Sequence, residues 1–146
     1  MGRGKNLIEF ITEKGLDNLH DARRIRQIVF VEEQGFVVEF DDIDEIATHT
    51  LLTVDGIPAG TGRVFPKEDN VYIIGRIAVL PQYRGRDLGK ILVQELEEIA
   101  KAQKARTVVL SAQVRVKEFY EKMDYTAIGD AYLDEGCPHI KMQKTL

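Results

Sequence analysis

The sequence predicts one α/β domain, a mixed sheet with helices on both of its faces. Three observations carry that prediction. Ile73-Ile74-Gly75-Arg76-Ile77-Ala78-Val79-Leu80 is a mostly apolar run of the kind buried in a sheet, and Pro81 stops it. Directly after it, Leu88, Ile91, Leu92, Leu96 and Ile99 recur on one face of an amphipathic helix. Upstream, two β-rich runs flank Asp55-Gly56, a strong two-residue hairpin signal. A chain of 146 residues suits one compact domain spanning 1–146.

The elements follow in order. Leu7 to Thr12 alternates loosely and reads as a first strand. Leu16 to Val31 carries Leu16, Leu19, Ile25, Ile28 and Val29 at helical spacing, with Asp17 near its start and room for an extra short helix near Glu32. Thr48 to Val54 and Ile57 to Phe65 form the hairpin, and Pro66 to Asn70 connects to the strand Val71 to Val79. Thr107 to Ser111 is β-branched and apolar, and its helical crossover makes it parallel to the strand before. Val114 to Met123 reads as a short helix. Tyr125 to Ile128 and His139 to Gln143 read as closing strands, separated by a Gly- and Pro-bearing loop.

Composition excludes several classes. The chain is 44% hydrophobic and 30% charged, an ordinary globular balance. A net charge of −4 argues against general nucleic-acid binding. The single cysteine, Cys137, allows no internal disulfide and no zinc pattern, so no metal is expected. Nothing resembles a signal peptide or a membrane span, which makes a cytoplasmic location the expectation and a membrane partner unexpected.

Gln82-Tyr83-Arg84-Gly85-Arg86-Asp87-Leu88-Gly89-Lys90 is the stretch with chemistry in it. Glycines let a main chain fold tightly over a ligand, and the first N–H groups of a helix lie at the positive end of its dipole. Arg84, Arg86 and Lys90 add positive charge, so the turn reads as an anion site; the plainer alternative is a helix start with surface cations. It is not a Walker A loop, because no Gly-Lys-Ser/Thr follows. Nor is it Gly-x-Gly-x-x-Gly, since only Gly85 and Gly89 are present.

From Gln27 to Gly62 there is no Lys or Arg, while Glu32, Glu33, Glu39, Asp41, Asp42, Asp44, Glu45 and Asp55 accumulate. This is either a solvated acidic loop or a region that attracts and orients a cationic amine.

The turn resembles motif A of the GNAT superfamily of N-acetyltransferases, Gln/Arg-x-x-Gly-x-Gly/Ala. Gln113, six residues before Phe119-Tyr120-Glu121-Lys122, resembles the family's Asn-x-x-Ala-x-x-Phe-Tyr segment. Val29 to Gln34 and Leu133 to His139 are similar to the ElaA-like subgroup. Three departures stand out: Asp87 replaces Gly or Ala, Gln113 replaces Asn, and Met123-Asp124-Tyr125 replaces x-Gly-Phe. The resemblance implies the GNAT fold, a mostly antiparallel sheet whose central strands splay to form a cofactor cleft. It also implies acetyl-CoA as cosubstrate, held along Ile77-Ala78-Val79, from Gln82 to Lys90, and at Gln113 and Tyr120. Dimers are common among such small transferases, and the oligomeric state stays open.

Amine acetylation needs a proton acceptor, a donor to the oxyanion, and a proton for the departing thiolate. The resemblance gives the oxyanion role to the backbone N–H near Val79 and the thiolate's proton to Tyr120. Glu33 is a candidate base, with His139 and His49 as further ones. Asp41, Glu33 and His139 are candidates to hold the small, cationic amine acceptor. An acyl-enzyme on Cys137 is a further alternative, although a solitary Cys is more often a small hydrophobe.

Overall fold

The computed structural model describes residues 7–36 and 40–146; of the acidic stretch, Glu39 lies outside them. Among the described residues seven strands form one sheet: β1 (Ile8–Lys14), β2 (Thr48–Val54), β3 (Ile57–Glu68), β4 (Val71–Val79), β5 (Thr107–Gln113), β6 (Thr126–Asp134) and β7 (Cys137–Thr145). Their order is β1-β2-β3-β4-β5-β7-β6. The pairing of β4 with β5 is parallel and the others are antiparallel, a mixed, mostly antiparallel sheet as expected. The helices are α1 (His20–Arg26), α2 (Ile43–Ile46), α3 (Leu88–Ala102) and α4 (Lys117–Glu121).

Successive strand residues point to opposite faces, and both faces are covered. Leu51 of β2 joins Leu19, Ile25 and Val29 on the α1 side, whereas Leu52 joins Leu88 and Leu92 of α3 on the other. The α3 stripe continues through Val93, Leu96 and Ala100 onto Val64, Ile74 and Val108. This helix lies very close to β3. A Cβ at Gly60 would stand 2.9 Å from Leu92 Cδ1, and one at Gly62 would stand 2.7 Å from Leu96 Cδ1.

Several bounds differ from the sequence reading. The helix predicted from Leu16 begins at His20, because Leu16 and Leu19 are buried by a turn whose Leu19 N–H donates to Leu16 O at 3.0 Å. Past α1 the chain winds on as a π-helix over Gln27–Glu33, where the extra turn near Glu32 was expected. The closing strands are longer than predicted. Their connection is a two-residue turn with φ of 50° at Glu135 and 77° at Gly136, the left-handed pair a tight hairpin needs. Pro138 lies beyond the last β5–β7 pair, Gln113 with His139, so it removes no bond from that ladder.

The feature that makes a site is a divergence. β4 and β5 pair only through Val71–Ile73 with Thr107–Val109. Past Ile73 the register of β4 on β3 slips, with Arg63 opposite Gly75 but Thr61 opposite Ala78, and Arg76 at the slip has φ 51°. That bulge bends β4 away from β5.

Candidate active site

The wedge between the two strands holds a cleft of about 500 Å³, walled by Ile77, Gln113, Tyr120 and His139 among others. A smaller cavity of about 410 Å³ adjoins it, with Glu33, Ala78, Val79 and Arg84 in its wall. Gln34, Ile77 and Arg115 border both.

At the end of β4, Pro81–Tyr83 form one turn of 3-10 helix, and Leu88 is buried as the anchor of α3. Between them Gln82, Arg84, Gly85, Arg86 and Asp87 are exposed. Gly85 has φ 80° and Asp87 φ 62°, which turns the chain sharply into the helix. Asp is one of the few non-glycine residues that adopt this conformation readily, so the bend survives the departure at Asp87. The Asp87 carboxylate makes no capping bond to the helix. Among the described residues, no backbone N–H from Gly85 to Lys90 donates to a backbone carbonyl. Six donors at the positive end of a fifteen-residue helix are thus left for an anion. That set fits a diphosphate.

The cations of the turn divide their work. Arg86 lies over the ring of Tyr83 at 5.3 Å, and Lys90 is exposed. Arg84 faces inward: its Nε donates to Val79 O at 3.0 Å, and its Nη atoms donate to both Glu33 oxygens at 2.6 and 2.7 Å. Hydrogen bonding to Arg84, reinforced by the charges of Arg84 and Arg115, holds Glu33 below the usual carboxylate range. To accept a proton, Glu33 would first have to give up this pair.

Tyr120 projects from α4 into the cleft wall, its ring edge-on to Phe119 at 5.0 Å and to Tyr125 at 5.7 Å. Burial pushes its phenol up to about 12. Across the cleft, His139 on β7 is 7% exposed. Its Nδ1 lies 2.8 Å from Cys137 O, a carbonyl that can only accept, so the proton sits on Nδ1 and the lone pair on Nε2. Cys137 serves the site through its main chain, and its thiol is not among the cleft-wall groups. Gln113 bridges β5 to the π-helix, donating to Gln34 Oε1 at 3.1 Å and accepting from Arg115 Nε at 2.8 Å.

The acidic stretch folds differently from an open acidic face. Asp44 accepts from Arg26 at 2.8 and 3.2 Å and from Arg63 at 2.8 Å. Asp41 accepts from Arg63 at 2.7 and 3.2 Å and from Arg76 at 3.4 Å. Burial alone would raise the Asp44 carboxyl; bonds from Arg26 and the Asp41 N–H, and the charge of Arg26, outweigh it and bring it to about 2. His49 belongs to this cluster, its Nε2 donating to Asp44 O at 2.9 Å; burial lowers its pKa. The sequence leaves a solvated acidic loop and a surface for a cationic amine both open, and guanidiniums occupying Asp41 and Asp44 match neither. Arg26 and Arg63 sit just outside each end of the cation-free stretch, and that flanking position was the available signal.

Residues 26–146 match the model of the acetyltransferase (GNAT) domain. The chain belongs to the GNAT acetyltransferases. A Bacillus subtilis protein named provisionally as an acetyltransferase is 37% identical over 138 residues, covering 87% of this chain and 89% of that one. A crystal structure named provisionally as an N-acetyltransferase, from Lactobacillus plantarum, superposes with a TM-score of 0.88 at 30% identity, covering 97% of this chain and 99% of that one. The crystal structure of Escherichia coli ElaA gives 0.83 at 25% identity, covering 94% and 99%. The GNAT assignment makes this an acyltransferase, a family that implies an acyl-CoA cosubstrate. Among the described residues no helix is long and apolar enough to cross a membrane.

Proposed function

We propose that this GNAT protein is an acetyl-CoA-dependent N-acetyltransferase that acetylates the primary amine of a small acceptor by direct attack in a ternary complex. The observation that carries the reading is the row of unpaired main-chain N–H groups from Gly85 to Lys90, set beside the wedge between β4 and β5. These amides grip the diphosphate, with Gln82, Tyr83 and Arg86 flanking it. The pantetheine arm then runs along Ile77-Ala78-Val79 toward Gln113 and Tyr120.

Chemistry follows from the groups facing the cleft. His139 Nε2 takes the proton of the attacking amine, and the carboxylates of Asp41 and Glu33 stay paired with Arg63 and Arg84. The backbone N–H at Val79 stabilises the oxyanion. As the carbon–sulfur bond breaks, the Tyr120 hydroxyl gives its proton to the departing thiolate and is replenished from water. The balance closes as His139 releases the amine's proton to solvent, which offsets the proton that Tyr120 draws from water after giving its own to the sulfur.

Calorimetry with coenzyme A, and thiol release from acetyl-CoA across an amine panel, test the reading. Gly85→Val forces a side chain onto a φ of 80° although its Cβ meets nothing within 4 Å, so the fold stays and the bend shifts. Coenzyme A affinity should fall about tenfold or more. Unchanged affinity would remove the bend as the binding element. Tight binding without release from any amine would instead favour an acyl-CoA-binding module, a reading that the Asp87 carboxylate beside the diphosphate supports.

A further inference from the structure

The turn after α4 departs from the family pattern at Met123-Asp124-Tyr125, and the structure shows what the departure supplies. Asp124 takes φ 74°, the conformation a glycine there would provide. Tyr125 has a hydroxyl that the family's phenylalanine lacks. The ring is 2% exposed, and its OH donates to Glu97 Oε2 of α3 at 2.8 Å. Glu97, 6% exposed, also receives Lys144 Nζ of β7 at 3.0 and 3.1 Å, and that ammonium stands 5.7 Å from the Tyr125 ring. Tyr125 grips Tyr120 in two ways: its N–H donates to Tyr120 O at 3.1 Å, and the two rings meet edge to face.

We infer that Glu97, Lys144 and Tyr125 are positioning residues for Tyr120, tying the proton donor to α3, the helix whose first turn holds the diphosphate. The inference rests on the proposed role of Tyr120. α3 carries the anion site at its first turn and Glu97 in its third, so one rigid rod fixes both ends of the reacting thioester's surroundings. A buried carboxylate would be satisfied by Lys144 alone. The additional Tyr125 bond fixes the ring that touches Tyr120.

Tyr125→Phe keeps the ring and removes the hydroxyl. Its kcat should fall about tenfold with the KM for acetyl-CoA held within about twofold. In a Tyr120→Phe background the same change should do almost nothing further, because the group being positioned is gone. Glu97→Gln, which retains an acceptor for Tyr125, should lie between wild type and Tyr125→Phe. A second measurement is independent of turnover: the ring-carbon NMR signal of labelled Tyr120 should shift in Tyr125→Phe. Additive losses in the double variant, together with an unmoved Tyr120 signal, would overturn the inference. A moved signal with a silent Tyr120→Phe would instead keep the coupling and reject Tyr120 as the proton donor.

Discussion

Arg84 forks onto Glu33 at 2.6 and 2.7 Å while its Nε holds the carbonyl of Val79, so one guanidinium ties the motif turn, the π-helix and the tip of β4 together. Both side chains are partly exposed, 42% and 39%, so the pair adds little to stability. Its effect is on geometry and on proton affinity. Glu33→Gln should therefore cost less than about tenfold in kcat and leave the acidic limb of the pH–rate profile in place. His139→Gln should cost about 10²- to 10⁴-fold. The reverse pattern, with the larger loss in Glu33→Gln, would return the base to Glu33.

Tyr120→Phe should lower kcat by about 10²-fold with coenzyme A affinity unchanged. With the phenol pushed up to about 12 by burial, it keeps its proton throughout the working range. Wild-type activity should accordingly show no alkaline loss below about pH 11 that Tyr120→Phe removes. Such a loss at lower pH would mean that the ring is more solvated than its packing against Phe119 and Tyr125 allows.

Asp87→Gly should tighten coenzyme A binding by about two- to fivefold in dilute buffer, the scale of one unit charge near water. The gain should shrink as salt is added. Asp87→Ala tests the backbone instead, since alanine adopts φ 62° less readily than aspartate and should cost about 1 kcal/mol of stability. Calorimetry and thermal melts separate the two effects.

The Asp44 cluster sets acid stability. A carboxyl held at about 2 in the fold, against 3.8 ordinarily, stabilises the protein fully above about pH 4. That contribution, about 2 kcal/mol, is lost as pH falls through 2. Asp44→Asn leaves Arg26 and Arg63 without their shared carboxylate and should lower stability by about 3–5 kcal/mol at pH 7. The variant should also lose the steep fall between pH 4 and 2. Chemical denaturation at a series of pH values reads both.

The strand–bend–helix from Ile73 to Ala102 was legible in sequence because its signals are local: an apolar run, a proline stop, two glycines and a periodic stripe. The motif turn adds its glycines and cations to that local pattern, whereas Tyr120 is singled out only by the resemblance to the GNAT family. What stayed hidden was long-range. The cation-free stretch looked like an unanswered acidic surface because Arg26 and Arg63 lie outside its ends and return only through the fold. Arg84 looked like a phosphate ligand because nothing in its neighbourhood announces Glu33, fifty-one residues earlier. The π-helical winding over Gln27–Glu33 has no spacing that distinguishes it from an ordinary helix. The longer closing hairpin was masked by Pro138, which ordinarily signals a loop.

The three-rung junction of β4 with β5 also divides the molecule mechanically. On one side stand β1 to β4, on the other β5, β7 and β6; among the described residues the ladder between them is Val71–Ile73 with Thr107–Val109, extended by the Asn70 carbonyl, which accepts from the Arg106 and Thr107 N–H groups. Rocking about that short ladder would widen or narrow the mouth without unzipping another. A bound thioester lying in the gap would act as a splint across the two halves.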